Sequence, residues 1–237
     1  MHVDRDDTRL HLADSGGAGR TAIDGALRGS PRELTLTEWT LSMSDRGSHV
    51  PAPPHPGLRV EHAAVASYEL SHALYNAVGV TVCWTDRRTW QYTDWTKWVE
   101  NPRVELWIGS VEGTPAGFFE LLGHDDGSVE IVLFGLMPQF RGQGVGGSFL
   151  SACVEAAWRY RFDVTGRPGA GDGELVGEAQ RVFLVTSTLD HPHAMKNYLA
   201  RGFEVERSEE FEKLVPDPRA SYLDLPFDPR DSDVGGR

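Results

Sequence analysis

A run of glycines between an apolar strand and an amphipathic helix constrains this chain more than any other feature. Residues 129–136 read as a mostly apolar strand, and a helical period begins at Gly146. Four of the six residues from Gly142 to Gly147 are glycines, each costing about 1 kcal/mol relative to alanine inside a helix. Glycines let a backbone approach a ligand closely, and the first helical turn attracts anions. The segment therefore predicts a phosphate site, with diphosphate as the leading candidate.

Two general diphosphate motifs fit this segment poorly. The glycines match the dinucleotide pattern GxGxxG, but six residues separate Gly135 from Gly142, whereas the dinucleotide turn follows its strand directly. The Walker pattern is excluded because the sequence contains no Gly-Lys-Ser/Thr. A nucleotide-dependent oxidoreductase is therefore a disfavoured alternative.

The rest of the chain predicts a mixed order of strands and helices. Apolar alternation predicts a strand over 34–43, with a bulge near Thr37-Glu38 where its parity changes. A helix capped by Ser67 and a second helix near Asp94 precede three strands joined by short turns, which predict an antiparallel meander. These three strands are expected at 104–111, 116–122 and 129–136.

The C-terminal part continues this pattern after the glycine-rich helix, which is expected to end near Tyr160. A glycine-rich insertion at 166–177 precedes a strand at 182–188, and Asp190 is expected to cap a helix that ends at Gly202. Two further strands are expected at 203–208 and 211–215.

Two motifs and this element order carry a family resemblance. Arg141-x-x-Gly144-x-Gly146 resembles the acetyl-CoA signature of the GCN5-related N-acetyltransferase (GNAT) superfamily, and Tyr198 stands four residues before Gly202-Phe203, as in the family's second motif. The resemblance implies an α/β (α+β) acyl-CoA N-acyltransferase fold, a mixed, mostly antiparallel sheet flanked by helices. It covers a domain at 34–215, leaving a flexible N-terminal arm at 1–33 and an extended C-terminal tail at 216–237.

The resemblance also implies roles for particular residues. The backbone of Phe134, Gly135 and Leu136 would bind the pantetheine arm of acetyl-CoA, and Tyr198 would protonate the departing thiolate. His191 stands where many relatives carry a cofactor-binding asparagine, so no contact is assigned to it. Main-chain N–H groups would wrap the diphosphate, and they come from Arg141, Gly142, Gln143, Gly144, Val145 and Gly146.

A base must remove a proton from the acceptor ammonium before the amine can attack. Glu130 is the lone charge in an apolar strand, and its position eleven residues before Arg141 resembles that of the strand glutamate in the histone acetyltransferase branch. The alternatives are a surface glutamate at this position, Glu120 as the base, or a chain of waters.

An aromatic and acidic stretch precedes the meander and allows two interpretations. Either it forms a wall that attracts a cationic amine, or its tryptophans fill the core, which is favoured for Trp95 and Trp98. The residues concerned are Trp84, Asp86, Trp90, Asp94, Trp95 and Trp98.

Composition limits the partners and the cellular location that we expect for this protein. A formal net charge of -12 disfavours nucleic acid as a partner. The sequence shows no signal peptide and no apolar run long enough for a membrane, and Cys83 and Cys153 lie far apart, so a cytoplasmic protein without disulfides is expected. No metal site is assigned to His191 and His193.

These observations predict an N-acetyltransferase that moves the acetyl group of acetyl-CoA directly to a primary amine of a small molecule or protein. The alternative is a regulatory module that binds acyl-CoA without turnover. The resemblance also leaves a homodimer open.

Overall fold

A computed structural model describes residues 32–79, 82, 84–163 and 176–215. The predicted arm lies outside these ranges except for residues 32 and 33, which begin the first strand. The predicted tail, Cys83 and most of the glycine-rich insertion also lie outside them. The domain limits 34–215 stay a prediction.

The described elements follow the predicted order, with additions. They are β1 (Arg32–Met43), β2 (Leu58–His62), α1 (Tyr68–Gly79), α2 (Tyr92–Val99), β3 (Val104–Val111), β4 (Thr114–Gly123), β5 (Ser128–Leu136), α3 (Val145–Arg159), β6 (Phe162–Asp163), β7 (Val176–Gly177), β8 (Arg181–Ser187), α4 (Ala194–Ala200) and β9 (Glu204–Val215). Within these ranges, no helix is long and apolar enough to cross a bilayer.

Seven strands form one sheet in the order β2-β3-β4-β5-β8-β1-β9. Neighbouring strands run antiparallel except for β5 and β8, which pair in parallel. The strands β6 and β7 form a separate two-stranded ribbon. The predicted meander and the mixed, mostly antiparallel sheet are confirmed.

Helices cover both faces of the sheet because successive strand residues point to opposite sides. On β4, Phe119 and Leu121 pack in the core beneath α3 and α4, whereas Phe118 packs in a second core with α1 and α2. A central strand buried on both faces must therefore be apolar almost throughout.

Besides the unpredicted ribbon of β6 and β7, the structure departs from the predicted elements in three strands of the main sheet. The short strand β2 was not predicted, because its five residues directly follow a proline-rich loop. The chain after Gly202 forms one strand, β9, rather than two. The apolar alternation in β1 changes parity because apolar residues of this strand are buried on both faces of the sheet. The register of β1 with β9 shifts between Thr40 and Leu41, where β9 carries one extra residue.

The two predicted helix caps have different outcomes. Ser67 is confirmed, since its Oγ accepts a hydrogen bond of 3.2 Å from the N–H of Leu70. The prediction for Asp190 is wrong: α4 begins four residues later, with His193 as its N-cap. The Asp190 carboxylate instead accepts hydrogen bonds from the Thr186 hydroxyl and the Ser187 N–H. These bonds connect Asp190 to the last two residues of β8.

Candidate active site

The parallel pair β5–β8 separates at one end of the sheet. Pairing runs only from Ser128 opposite Arg181 to Ile131 opposite Leu184. Beyond this paired part, β5 continues through residues 134–136, which pair with β4 on the side away from β8. Apart from the Leu136 carbonyl, which accepts a hydrogen bond from Arg141 Nε, backbone N–H and C=O groups on the β8 side of this segment are thus available to an extended ligand.

A β-bulge and a close helix contact shape this end of β5. Glu120 of β4 pairs with Leu133 and the next residue pairs with Ile131, so β5 carries one extra residue, Val132. A Cβ at Gly135 would lie 2.4 Å from Val78 Cγ1 of α1, which explains the glycine there. Bulges of this kind often border functional sites.

The glycine-rich turn leads from this strand end to the first turn of α3. Gly142 and Gly144 have left-handed φ angles of 73° and 80°, which favour glycine. A Cβ at either position would meet nothing within 4 Å, so the turn borders open space. The first N–H groups of a helix lack partners within the helix, and the first turn of α3 carries no acidic residue. The arrangement suits an anion.

The side chain of Arg141 joins this turn to two other elements. Its Nε donates to the Leu136 carbonyl over 2.9 Å, and its Nη2 donates to the Val78 carbonyl over 3.2 Å. Burial lowers the pKa of Arg141, but a guanidinium keeps its charge in proteins. A fixed positive charge therefore lies beside the glycine-rich turn.

Tyr198 lies on the α3 face of the sheet beside the separated strands. Its ring is 6.4 Å from the ring of Phe134 and 6.3 Å from that of Phe203. Burial, and then the charges of Asp190 and Cys153, raise the pKa of Tyr198. The phenol therefore keeps its proton under ordinary conditions, as a general acid must.

Glu130 lies on the opposite face of the sheet. Its neighbours Val129 and Ile131 are buried in the core beneath α3, so Glu130 points to the side of α1 and α2. Its Oε2 lies 3.0 Å from His124 Nε2, and its side chain is 23% exposed. The sequence analysis missed His124 because a turn residue six positions away gives no periodic signal.

Glu120 points to the same face as Glu130 but is almost fully buried. Its carboxylate lies 2.7 Å from Arg87 Nη2, and it accepts hydrogen bonds of 2.9 Å from Ser71 Oγ and from Trp98 Nε1. These three donors hold Glu120 in a structural role, which favours Glu130 over Glu120 as the base.

The tryptophan-rich region surrounds a cation of the protein itself. The Arg87 guanidinium carbon lies 4.4 Å from the ring of Trp98 and 4.6 Å from the ring of Trp90. Trp95 is fully buried and Trp98 half-buried, in agreement with the core interpretation for these two residues. The cage filled by Arg87 is therefore not an open wall for an amine.

One residue links α4 to the glycine-rich turn, and a histidine lies just before the helix. Asn197, which the sequence analysis missed, donates from Nδ2 to the Gly146 carbonyl over 3.4 Å. His191 is exposed, and burial followed by the charges of Arg141 and His193 lowers its pKa. In the described part of the chain, no group of three His, Cys, Asp or Glu residues could hold a metal ion.

Comparison with known proteins relates part of this chain to a known family. A model of the acetyltransferase (GNAT) family matches residues 66–165, which include Glu130 and the glycine-rich turn but not Tyr198. Among proteins of curated function, none matches the sequence.

Solved structures share the fold at low sequence identity. One is a conserved protein of unknown function from Staphylococcus epidermidis, with 13% identity, a TM-score of 0.51 and coverage of 78% of this chain and 63% of that one. Another is a GCN5-related N-acetyltransferase from Sphaerobacter thermophilus, with 14% identity, a TM-score of 0.50 and coverage of 83% and 56%. The chain thus spans less than two thirds of either structure. The family match and the shared fold agree: residues 66–165 are similar to the acetyltransferase (GNAT) family, and the described sheet has a fold found in a GCN5-related N-acetyltransferase.

Proposed function

We propose that this domain transfers the acetyl group of acetyl-CoA directly to a primary amine. One observation carries the proposal: the open edge of β5 and the glycine-rich turn lie end to end. An extended pantetheine arm along residues 134–136 would lead its diphosphate to the N–H groups of residues 141–146.

The two candidate catalytic residues lie on opposite faces of the sheet, Tyr198 beside the gap between β5 and β8 and Glu130 in the paired part of β5, opposite Phe183. An amine arriving on the α1–α2 face would lose its proton to Glu130, directly or through water. Water is needed if the amine reacts beside Phe134, since the four strand residues from Glu130 to Phe134 span about 13 Å. The amine then attacks the thioester carbonyl, the C–S bond breaks, and Tyr198 donates its proton to the thiolate. Cys153 is buried and burial raises its thiol pKa well above the ordinary value, so it is unsuited to form an acyl-enzyme.

An acceptor panel tests this proposal by following release of the free CoA thiol with acetyl-CoA and small amines, amino acids or peptides. Turnover of a primary amine supports it. Thermal stabilisation by acetyl-CoA without turnover of any acceptor would instead indicate a regulatory acyl-CoA-binding module, and stabilisation by NAD alone would overturn the cofactor assignment.

Two variants test the assigned roles. Tyr198→Phe is expected to lower kcat about 100-fold or more with an unchanged Kd for acetyl-CoA. Tyr160→Phe serves as the control, because Tyr160 is a buried tyrosine elsewhere in the protein.

Glu130→Gln is expected to lose activity that partly returns at high pH, and Glu105→Gln on β3 is its control. Wild-type turnover in Tyr198→Phe or Glu130→Gln would remove that residue from the mechanism.

A further inference from the structure

The partner of Glu130 is held firmly in the turn between β4 and β5. The His124 N–H donates to the Ser128 carbonyl over 2.9 Å, and the His124 carbonyl accepts from Gly127 over 3.1 Å. These bonds fix the backbone from which the imidazole reaches Glu130 at 3.0 Å, a normal hydrogen-bond length.

Charged groups from three elements surround this imidazole. Its ring lies 5.4 Å from that of Phe183, whose other neighbour is the Arg181 guanidinium at 4.4 Å. Arg181 is paired with Glu206 of β9. Burial raises the pKa of the nearby Asp126 carboxyl, but hydrogen bonds from Ser128 and the charges of His124 and Arg181 outweigh it and lower that pKa.

A catalytic carboxylate must lose its proton again before each new turnover. Imidazole is a stronger base than a carboxylate and carries a second nitrogen through which a proton can leave. The side chain of His124 is 19% exposed, at the turn end of the strand pair and away from the gap between β5 and β8. Water can therefore reach it without entering the acceptor site.

We propose that His124 is a positioning residue that orients the Glu130 carboxylate and carries its proton to solvent; this rests on the proposed function. The acceptor ammonium gives a proton to Glu130, and Glu130 passes it to Nε2 of the His124 tautomer that carries its proton on Nδ1. Nδ1 then releases its proton to water, and proton exchange with water restores the starting tautomer before the next turnover. After this transfer, the Nε2–H of His124 donates to the Glu130 carboxylate and holds it in one orientation.

Chemical rescue tests this role without depending on how well one variant folds. His124→Ala is expected to lower kcat about 10- to 100-fold, with added imidazole restoring a large part of it. His62→Ala is the control, because His62 also lies against an aromatic ring, that of Trp107 at 5.0 Å, on the distant strand β2. Imidazole should leave the rate of this control unchanged.

A second variant separates proton transfer from packing. His124→Gln keeps a hydrogen-bond donor, but a glutamine side chain cannot accept a proton. We therefore expect kcat to fall with KM unchanged. We also expect the acid limb of the pH profile of kcat to move to lower pH, because protonation of residue 124 no longer limits the rate. Wild-type kcat in His124→Ala, absence of imidazole rescue, or an unmoved acid limb in His124→Gln would each overturn the role of His124 while leaving the proposed function intact. Failure of the wild-type protein to acetylate any amine would overturn both.

Discussion

At the scale of single residues, burial decides which of two similar glutamates is available for chemistry. Glu120 and Glu130 lie on neighbouring strands and face the same side of the sheet, but Glu120 has a relative exposure of 1% and meets Arg87. Sequence spacing favoured Glu130, but only the packing of α1 and α2 shows how Glu120 is held.

Breaking the buried Arg87–Glu120 pair should be costly, because it leaves an uncompensated charge in the core. Glu120→Gln is expected to lower the free energy of unfolding by about 3–5 kcal/mol, measured by urea denaturation. In Asp125→Asn, which removes an exposed partner of Arg103, the expected loss is about 0–1 kcal/mol. Equal losses in the two variants would contradict the structural role of the buried pair.

Two buried tyrosines predict a loss of stability at high pH. Burial, with Glu105, raises the pKa of Tyr160 to about 12, and burial also raises that of Tyr198. The unfolded chain releases these protons above about pH 10 while the folded protein retains them, so stability is full below that pH and falls above it.

The expected slope is about 1.4 kcal/mol per pH unit for each tyrosine above pH 10, measured by urea unfolding in a pH series. Tyr160→Phe should remove about half of this slope, although it also loses the 2.8 Å bond to the Arg103 carbonyl. A slope that stays the same in this variant would show that Tyr160 titrates alike in both states.

At the scale of elements, the glycine-rich turn depends on backbone conformation rather than on side chains. Gly144→Ala forces a left-handed φ on alanine, which costs about 1–2 kcal/mol, and its Cβ would enter the space beside the first turn of α3. We expect about a tenfold weaker Kd for acetyl-CoA by isothermal titration calorimetry.

Gly113→Ala is the matched control, since Gly113 has a φ of 82° and similarly open surroundings in the β3–β4 turn. It should show a comparable loss of stability with unchanged acetyl-CoA affinity. Equal affinity losses in both variants would mean that general destabilisation, and not the turn, controls binding.

At the scale of the whole molecule, one edge of the described sheet carries an excess of acidic side chains. The edge strand β9 carries five glutamates against Arg207 and Lys213. Charges on an exposed edge discourage pairing with a second sheet.

Neutralising this edge should promote self-association. The triple change of Glu209, Glu210 and Glu212 to Gln is expected to raise the mean mass in light scattering at micromolar concentration, relative to the wild-type protein. The same charge change at Glu69, Glu100 and Glu112, which lie off the sheet edges, is the control. If both triples associate equally, net charge rather than the edge is responsible.

Features that depend on local order follow directly from the amino-acid sequence. Strand periodicity predicted the meander and the glycine spacing predicted the turn, whereas Tyr198 became a candidate acid through the family resemblance of the residues before Gly202. These signals are local because backbone conformation and amphipathicity are set by residues a few positions apart.

Contacts between side chains that are not close in the sequence depend on the three-dimensional packing of the chain. The contact of His124 with Glu130, the Arg87 cation inside the tryptophan cage and the opposite faces of Glu130 and Tyr198 all depend on strand register and helix packing. A shift of one residue in the register of β5 would turn Glu130 to the other face, and periodicity alone does not specify register between distant strands.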